Sequence, residues 1–328
     1  MESEEVMKLR CLIVLSALGL VLATIEVRAE TWPTRPVKVI VPITAGSVID
    51  IVPRVVFEQL STQLGQSIVV ENRPGAGMTI GSNLVAKADP DGYTVLATSS
   101  AHAIAPALHP NLSYQPARDF AAVAPLGTSP FVLVVSPARG FKTTRDLVAA
   151  AKAKPGAFNF SSPGVGTASH LSAERFLSSA GVQAVHVPFK GGAEAMTEVI
   201  AGRIDFFFVA LGAALPHIRD GKLSALAVNG ATRSAALPEV PTIREAGFTN
   251  AEYPTWFGLF LPAKTPREIV EKLHRETLKA LREPKVRDRL EKLGVDPMLM
   301  TPGEFDVHVE KEIAINAALV KAIGLKPE

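Results

Sequence analysis

Short apolar runs alternate with amphipathic helical patterns along most of the chain. Val37–Val41 is a continuous apolar run, and a helical pattern follows it with apolar residues at Val52, Val56, Leu60 and Leu64. The order strand, small-residue loop and helix returns twice between residues 158 and 208. Such alternation is typical of parallel strands joined by crossover helices. We therefore predict an α/β fold.

The pattern also predicts where the elements begin and end. Strands are expected at 37–41, 67–70, 93–97, 131–135, 158–160, 184–187, 204–208, 223–228 and 255–261. Helices are expected from residue 50 to 64, up to residue 87, at 144–154, at 193–201 and at 215–220. Capping signals at Thr242–Glu245, Thr265–Glu268 and Thr301–Glu304 predict three further helix starts.

These elements group into two Rossmann-like α/β lobes joined by a hinge. We assign residues 30–130 and 253–328 to lobe one, and residues 131–252 to lobe two. The chain would then cross between the lobes near residues 125–131 and again near 251–256. Two crossings of this kind are typical of a hinge.

The N-terminus has the pattern of an export signal. Met7 to Arg10 is basic, Cys11 to Ile25 is an apolar run too short for a membrane span, and small residues end the pattern at Ala29. We expect cleavage after Ala29, which makes residues 1–29 a signal peptide and removes the chain's one cysteine. Translation from either Met1 or Met7 is compatible with this pattern. The prediction is an exported, soluble, periplasmic protein.

Composition narrows the class of partner. The 328 residues carry a formal net charge of +2, and 20% of them are charged. This balance and the lack of a Lys/Arg run argue against nucleic acid as a partner. The hydrophobic share of 47% is ordinary for a globular protein.

No motif in the sequence indicates a cofactor, a metal or an enzyme active site. The glycines of Gly75-x-Gly77-x-x-x-Gly81 are one residue too far apart for the dinucleotide fingerprint. A Ser nucleophile elbow, a metalloprotease motif and a P-loop are all missing from the sequence, and its seven histidines are scattered. We therefore expect no cofactor and no bound metal.

Hydroxyl side chains recur where predicted strands end and helices begin. Ser and Thr favour such positions as helix caps, so one cluster alone would indicate only capping. Helix N-termini also attract anions, and hydrogen bonds to a charged group contribute about 1.5–3 kcal/mol each. Four or five of them approach the roughly 8 kcal/mol of a micromolar ligand. We predict a small-carboxylate site built from Thr44, Ser47, Thr79, Thr98, Ser99, Ser100, Ser161, Ser162, Thr167 and Ser169.

Several stretches together resemble a known family. They are WPTRPVKVIVPITAGSVID, VVENRPGAGMTIGSNLVAKADPDGYTVL, FNFSSPGVGTASHLSAERF, VHVPFKGGAEAMTEVIAGRIDFFF, KLSALAVNGATRSAALPEVPTIREAGF and WFGLFLPAKTP. The chain resembles the Bug-type solute-binding proteins of tripartite tricarboxylate transporters over essentially its whole mature length. The resemblance implies a periplasmic receptor of the flytrap type, a carboxylate ligand and membrane transporter subunits as partners. We expect the receptor to be a monomer.

The resemblance also implies which loops bind the ligand. The family's binding loops fall on 43–47, 75–79, 98–102, 161–170 and 189–192 of this sequence. Together with the hydroxyl pattern, they give the predicted ligand-binding residues, which are Thr44, Ala45, Gly46, Ser47, Gly77, Met78, Thr79, Ser99, Ser100, His102, Ser161, Ser162, Gly166, Thr167, Ser169, His170, Lys190, Gly191 and Val209.

Three departures from the family pattern bear on the ligand. The first loop has Ala45-Gly46-Ser47 where two adjacent glycines are usual after the small residue. Met78 stands where the family has Gly, and Val209 stands where a polar or acidic residue is common. Met78 and Val209 add apolar bulk, so the departures favour a less polar carboxylic acid.

Two other functions stay open at this point. An exported hydrolase would use a loop serine with His170, provided a base lies within hydrogen-bond reach of that serine. A receptor that reports its ligand to a signalling partner would have the same sequence pattern as one that serves a transporter. The sequence does not name the ligand.

Overall fold

The structure, a computed structural model, describes residues 32–253, 255–322 and 324–325. Contacts divide the chain into one unit of residues 1–34 and another of residues 35–328. The fold below is that of the second unit. The predicted signal peptide, residues 1–29, lies outside the described residues.

Strands and helices alternate through this unit as the pattern predicts. The strands are Val37–Val41 (β1), Ile68–Asn72 (β2), Thr94–Ser99 (β3), Phe120–Ser129 (β4), Phe131–Val135 (β5), Asn159–Ser162 (β6), Val185–Pro188 (β7), Phe206–Ala210 (β8), Ser224–Val228 (β9) and Thr255–Pro262 (β10). The helices are Val48–Leu64 (α1), Thr79–Ala86 (α2), Ala101–Leu108 (α3), Pro116–Asp119 (α4), Thr144–Ala153 (α5), Ala168–Ala180 (α6), Gly192–Ile200 (α7), Leu211–Arg219 (α8), Arg267–Arg282 (α9), Pro284–Lys292 (α10) and Pro302–Ala322 (α11).

In the part of the chain that the structure describes, the strands form two mixed sheets. The first has the order β2-β1-β3-β10-β4, with β1, β2 and β3 parallel and β10 antiparallel to both of its neighbours. The second has the order β7-β6-β8-β5-β9, with β6 parallel to β7 and β8, and β5 antiparallel to β8 and β9. Each sheet with its helices is one α/β lobe.

The antiparallel strands are those that border the crossings between the sheets. Strand β4 ends in the first sheet and β5 begins in the second, with Pro130 between them. The chain returns after β9, and β10 enters the first sheet between β3 and β4. The β-α-β pattern predicts the parallel strands, but a strand that enters from another lobe is free to run in either direction.

Buried apolar side chains fill both faces of each sheet. Phe160, Phe176, Phe206 and Phe208 pack together on one face of the second sheet, and each is at most 1% exposed. Phe207 points to the opposite face, as the two-residue period of a strand requires. Burial on both faces explains why these strands have near-continuous apolar runs in the sequence.

Capping boxes stabilise the starts of two helices. Thr143 and Asp146 exchange hydrogen bonds at the start of α5, and Thr301 and Glu304 do so at the start of α11. The latter confirms the helix start that was predicted at Thr301.

The helix predicted after Thr242 is wrong. Thr242 and Glu245 form both capping hydrogen bonds, of 2.8 and 3.1 Å, but the segment is a turn. Gly247 adopts a φ of +101°, which ends the turn before a helix can propagate. The predicted start at Thr265 is shifted by one residue, because Pro266 precedes the helix and the Thr265 hydroxyl donates to the Pro262 carbonyl.

Candidate functional site

A cavity of about 540 Å³ lies between residues that follow strands of both sheets. Its volume is in the usual range for small-molecule sites. The polar part of its lining is Ser47, Ser99, Ser100, His109, Ser129, Thr167, Ser169 and Thr255. Its larger side chains otherwise include Ile43, Val48, Ile49, Met78, Ile104, Leu108, Phe131, Val165, Phe257 and Leu325. Among the described residues that line the cavity, none is Lys, Arg, Asp or Glu.

Of the helices that begin at this cavity, three are preceded by a residue with a hydroxyl group. They are α1, α3 and α6, and the residues just before them, Ser47, Ser100 and Thr167, all belong to the lining. The first N–H groups of a helix have no partner inside it, and the helix dipole adds partial positive charge there. The three N-termini therefore favour an anionic group in the cavity although no basic side chain lines it.

Three buried hydroxyl groups of the lining are unpartnered. The Oγ atoms of Ser47 and Ser100 and the Oγ1 atom of Thr255 have no hydrogen-bond partner among the described residues. Neither serine caps its helix through its side chain, although both precede one. Buried hydroxyls almost always have partners, since a missing one costs about 1–3 kcal/mol. A polar group of a ligand would supply those partners.

A buried carboxylate holds the first of the lining loops. The Oδ2 atom of Asp50 accepts a 2.9 Å hydrogen bond from the Gly46 N–H, and Oδ1 accepts bonds of 2.9 Å from Arg54 and Asn72. Asn72 also donates to the carbonyl of Ile43 at the start of the loop. Burial alone would raise the pKa of Asp50, but the hydrogen bonds from Gly46, Asn72 and Arg54 outweigh it and lower this pKa.

The second loop has an unusual backbone. Ala76, Gly77 and Met78 all have positive φ angles, of 42°, 60° and 76°. Such angles are uncommon for residues with a side chain and store strain of order 1 kcal/mol or more each. A Cβ atom at Gly77 would lie 2.9 Å from Nε2 of His109, so a side chain there would have to displace the His109 ring. This conformation places Met78 in the wall of the cavity.

Two stacked histidines support the loop of the second lobe. The rings of His170 and His186 lie 3.8 Å apart and nearly parallel. His170 Nδ1 accepts a 3.0 Å hydrogen bond from the N–H of Gly166, and His186 Nε2 lies 2.7 Å from the Ser162 hydroxyl. Burial, aided by the neighbouring His170, lowers the pKa of His186 to about 4. His186 is therefore neutral near pH 7.

A family model described as "Tripartite tricarboxylate transporter family receptor" matches residues 52–325. The chain belongs to this receptor family. Protein BugT from Bordetella pertussis is 34% identical over 318 residues, which are 95% of this chain and 98% of BugT. The family resemblance and the α/β fold of two lobes are thus confirmed, and the protein is a solute-binding receptor.

Solved structures extend the comparison to proteins with ligands. A Rhodopseudomonas palustris protein solved with adipate is 32% identical with a TM-score of 0.78, and the match covers 90% of this chain and all of that one. MatC from Rhodopseudomonas palustris, solved with malate, is 33% identical with a TM-score of 0.74, and the match covers 88% and 100% of the two chains.

Part of the receptor site predicted from the sequence lines the cavity. These residues are Ser47, Gly77, Met78, Ser99, Ser100, Gly166, Thr167 and Ser169. Thr44, Ala45 and Gly46 belong to the first lining loop without lining the cavity itself. Thr79 lines a smaller neighbouring cavity of about 200 Å³. Ligand binding by these residues stays a prediction.

Other predicted residues lie behind the lining or away from it. Ser161 donates to the carbonyl of Ala195, and Ser162 and His170 take part in the contacts behind the Gly166 loop. Lys190 and Gly191 precede α7 and do not belong to the lining, and Lys190 is exposed. Val209 is 4% exposed and packs in the apolar core of the second lobe, so its side chain adds no bulk to the cavity lining.

His102 lies in the core of the first lobe. Its ring packs 4.8 Å from the rings of both Phe120 and Phe260, and burial lowers its pKa to about 3. It points away from the cavity that its neighbours Ser100 and Ala101 line.

Sequence analysis missed the apolar part of the receptor site. Ile104 and Leu108 lie on the cavity face of α3, and Phe131 and Phe257 come from β5 and β10. The spacing of Ile104 and Leu108 indicates an amphipathic helix, but it does not say whether the apolar face meets a core or a ligand. Ser129 was also missed, because strand β4 was not predicted, and Thr255 was missed although it begins a predicted strand.

Among the described residues, no group of three or more His, Cys, Asp or Glu side chains is placed to hold a metal ion. In the same part of the chain, the helices all lack the combination of length and apolar character that a membrane crossing needs.

Proposed function

We propose that this receptor binds a small carboxylate between its two lobes and delivers it unchanged to the membrane subunits of a tripartite tricarboxylate-type transporter. One observation carries the proposal: three helix N-termini and the unpartnered hydroxyls of Ser47, Ser100 and Thr255 meet at one cavity. The adipate and malate of the two Rhodopseudomonas palustris structures are both carboxylates. They support carboxylates as the class to test first.

A carboxylate can be held here without a basic side chain. Each oxygen of a carboxylate accepts about two hydrogen bonds, and a bond to a charged acceptor contributes about 1.5–3 kcal/mol. Donors converge on the cavity from both lobes, with the hydroxyls of Ser47 and Ser100 on one side and the first N–H groups of α6, at Ala168 and Ser169, on the other. Four or five such bonds are enough for micromolar binding, which needs roughly 8 kcal/mol.

Binding without turnover is the second part of the proposal. A hydrolase would need a serine nucleophile with a histidine base beside it, and Ser162 and His186 resemble such a pair, since the Ser162 Oγ lies 2.7 Å from His186 Nε2. The Ser162 hydroxyl is fully buried, also bonds to the backbone of Gly164, and does not line the cavity. Ser169 does line it, but its hydroxyl donates to the carbonyl of Phe208. A hydrolytic nucleophile must reach its substrate, so these contacts favour a receptor over a hydrolase.

Export to the periplasm, with cleavage after Ala29, is the third part. The basic start, the short apolar run and the small residues before position 30 support it. Intact mass of protein recovered from the periplasm tests it, and a species that retains Cys11 would contradict it. We also propose a monomer with lobe boundaries at 130/131 and 252/253, which light scattering and limited proteolysis would check.

Thermal shift with a panel of mono- and dicarboxylates tests the central proposal. A true ligand stabilises the receptor, and chromatography of the mixture should recover it unchanged. Ser100→Ala should weaken binding about tenfold or more without destabilising the free protein, because the lost hydroxyl has no protein partner. Ser178→Ala, at an exposed position of α6, is the matched control and should bind normally. Steady conversion of a bound acid would favour the enzyme instead.

A different experiment distinguishes a signalling role from a transport role. Deleting the receptor should abolish uptake of its ligand into cells if it serves a transporter. Normal uptake with a lost transcriptional response to the ligand would indicate a sensor as the partner.

A further inference from the structure

We infer that the ligand is a monocarboxylate with an elongated apolar body, whose carboxylate lies at the Ser100 end of helix α3 and whose body follows that helix to Leu108. This inference rests on the proposed carboxylate function and narrows it to one subclass. Malate and adipate, the ligands of the two related structures, carry a carboxylate at each end.

Helix α3 forms one wall of the cavity and changes polarity along its length. The residues that line the cavity are Ser100, Ala101, Ile104, Ala105 and Leu108, which share one face of the helix. At 1.5 Å per residue, Ser100 and Leu108 are about 12 Å apart along the axis. The wall therefore begins with an unpartnered hydroxyl and continues as apolar surface from Ala101 to Leu108.

Polar groups concentrate at the Ser100 end. Ser99 and Phe257 are paired neighbours in the first sheet, and Thr255 lies two residues earlier on the same strand as Phe257. Ser47 follows β1, which pairs with the strand that leads to Ser100. The three unpartnered hydroxyls thus come from residues that follow β1, follow β3 or begin β10, three adjacent strands of one sheet, and we place the ligand carboxylate among them.

Apolar groups close the Leu108 end. Ile104, Leu108 and Leu325 belong to one apolar cluster, and Val165 lies on the loop that meets Leu108. The contact is close, because a Cβ atom on Gly166 would lie 2.7 Å from Leu108 Cδ1. A second carboxylate at this end would lose its water without meeting a cation, since no Lys or Arg belongs to the described lining.

His109 and the N–H groups at the start of α6 are the groups at this end that could meet a second carboxylate. Within the described lining His109 is the only side chain that can carry a positive charge, and it lies just beyond Leu108. A ligand with a second carboxylate would have to reach one of these groups, so the experiment includes His109.

Calorimetry with length-matched acids tests the inference. Butanoate, hexanoate and octanoate are compared with adipate and octanedioate on the mature wild-type protein. We expect affinity to rise about fourfold for each CH₂ added to the monoacids, because each one buries further apolar surface. Octanoate should bind at least tenfold more tightly than octanedioate.

Two exposed valines provide the matched variants. Val165 lines the cavity and is 48% exposed, whereas Val185 lies on β7 outside the lining and is 53% exposed. Val165→Ser should weaken octanoate binding severalfold and leave butanoate binding unchanged. Val185→Ser should change neither, and the exposure of both sites makes misfolding of either variant unexpected.

The outcomes separate the inference from the proposed function. Tighter binding of a diacid than of the monoacid of equal length would overturn the inference and leave the carboxylate function intact. Loss of that diacid preference in His109→Gln would identify His109 as the reader of the second carboxylate, which also overturns it. If no carboxylate binds at all, the proposed function itself fails.

Discussion

At the scale of single residues, His102 shows how burial fixes a charge state. It occupies the first turn of α3, is 2% exposed, and neither ring nitrogen has a partner among the described residues. Burial lowers its pKa from an ordinary value of 6.5 to about 3. In the unfolded chain the same ring takes up a proton near pH 6.5. Protonation therefore favours the unfolded state throughout the interval between these two values.

We predict that His102→Leu makes the receptor less sensitive to acid. In wild type, the unfolded state binds more protons than the native state between pH 6.5 and pH 3, so the free energy of unfolding falls by up to about 1.4 kcal/mol per pH unit as the pH drops. Leucine removes this loss and keeps an apolar side chain in the aromatic cluster. Urea unfolding at pH 8, 6, 5 and 4 should show that the free energy of unfolding of the variant rises relative to that of wild type as the pH falls.

Other titratable groups affect wild type and His102→Leu equally, so they do not change the difference between the two free energies of unfolding. Burial raises the pKa of Glu312 to about 7, so this carboxyl contributes stability at low pH that is lost as the pH rises through 7. Because both proteins contain Glu312, its effect is the same in each. A gap between wild type and His102→Leu that does not change with pH would contradict the prediction.

At the scale of elements, the loop between β1 and α1 depends on one carboxylate. Asp50 holds the Gly46 N–H directly and reaches the Ile43 carbonyl through Asn72. Its partner Arg54 is 42% exposed in its side chain, so solvent screens part of the ion pair. The loop places Ser47 and the start of α1 at the cavity. Asp50 is thus a positioning residue that does not itself line the cavity.

We predict that Asp50→Asn lowers both stability and ligand affinity. An amide retains one acceptor oxygen but sets its NH₂ group against the donors of Gly46, Arg54 or Asn72, so about 1–3 kcal/mol of stability should be lost. Ligand affinity should fall about tenfold because the Ser47 loop loses its anchor. Chemical unfolding and calorimetry give the two values. Asp220→Asn, which breaks an exposed ion pair with Lys222, is the control and should change neither.

The Gly166 loop of the second lobe allows a test of whether ligand affinity depends more on the shape of this loop or on the charge of Lys190. Gly166 has a φ of +73° and lies against Leu108, whereas Lys190 is exposed and outside the cavity lining. Gly166→Leu should therefore reduce affinity far more than Lys190→Ala. Gly181→Leu is a matched control for backbone strain, since Gly181 has a φ of +62° and open space around it. It should lose about 1 kcal/mol of stability and bind normally.

A larger loss of affinity in Lys190→Ala than in Gly166→Leu would contradict this prediction. If Lys190→Ala abolished binding and Gly166→Leu did not affect it, the ligand would be held by a charge clamp and not by small-residue loops. Titration of the three variants with one acid decides between the two.

The sequence predicts hydroxyl positions at strand ends better than it predicts their roles. Ser47, Ser99 and Ser100 follow predicted strands and line the cavity. Thr79 follows the same rule, yet its hydroxyl donates to the carbonyl of Ala76. Whether a hydroxyl turns to its own loop or to a cavity depends on local backbone angles, which residue types do not specify.

The apolar lining residues are the part of the site that is hardest to predict from the sequence. Ile104 and Leu108 match the pattern of any helix that packs on a core, and apolar residues are usually buried in one. Only the arrangement of both lobes shows that this face of α3 borders a cavity. The parallel strands were predictable because the β-α-β pattern is local, whereas β4 and β10 pair across about 130 residues of sequence.

At the scale of the whole molecule, Asn229 links the two crossings between the sheets. It is fully buried, accepts a 2.7 Å hydrogen bond from the N–H of Phe131, and donates a 2.9 Å bond to the carbonyl of Tyr253. Phe131 begins β5 directly after the first crossing, and Tyr253 lies just before β10. The hydroxyl of Tyr253 donates in turn to Asn316 on α11. These hydrogen bonds join the two crossings to each other and to α11, so we expect any motion of one lobe against the other to pivot there.

We predict that a ligand stabilises the conformation in which Leu108 meets the Gly166 loop. Each lobe supplies only part of the lining, so a ligand makes its full set of contacts only when both parts are close. Small-angle scattering should show a smaller radius of gyration with ligand than without it. At 100 times its dissociation constant, the ligand should also raise the free energy of unfolding by about 2.7 kcal/mol.

The Gly166→Leu variant tests whether closure and binding are the same event. Its added side chain would stand between the loop and Leu108, where even a Cβ atom comes within 2.7 Å. The variant should therefore keep the larger radius of gyration at ligand concentrations that compact the wild type. Compaction of the variant without tight binding would show that the lobes close independently of the ligand. Tight binding by wild type without any compaction would mean that the cavity is already complete before the ligand arrives.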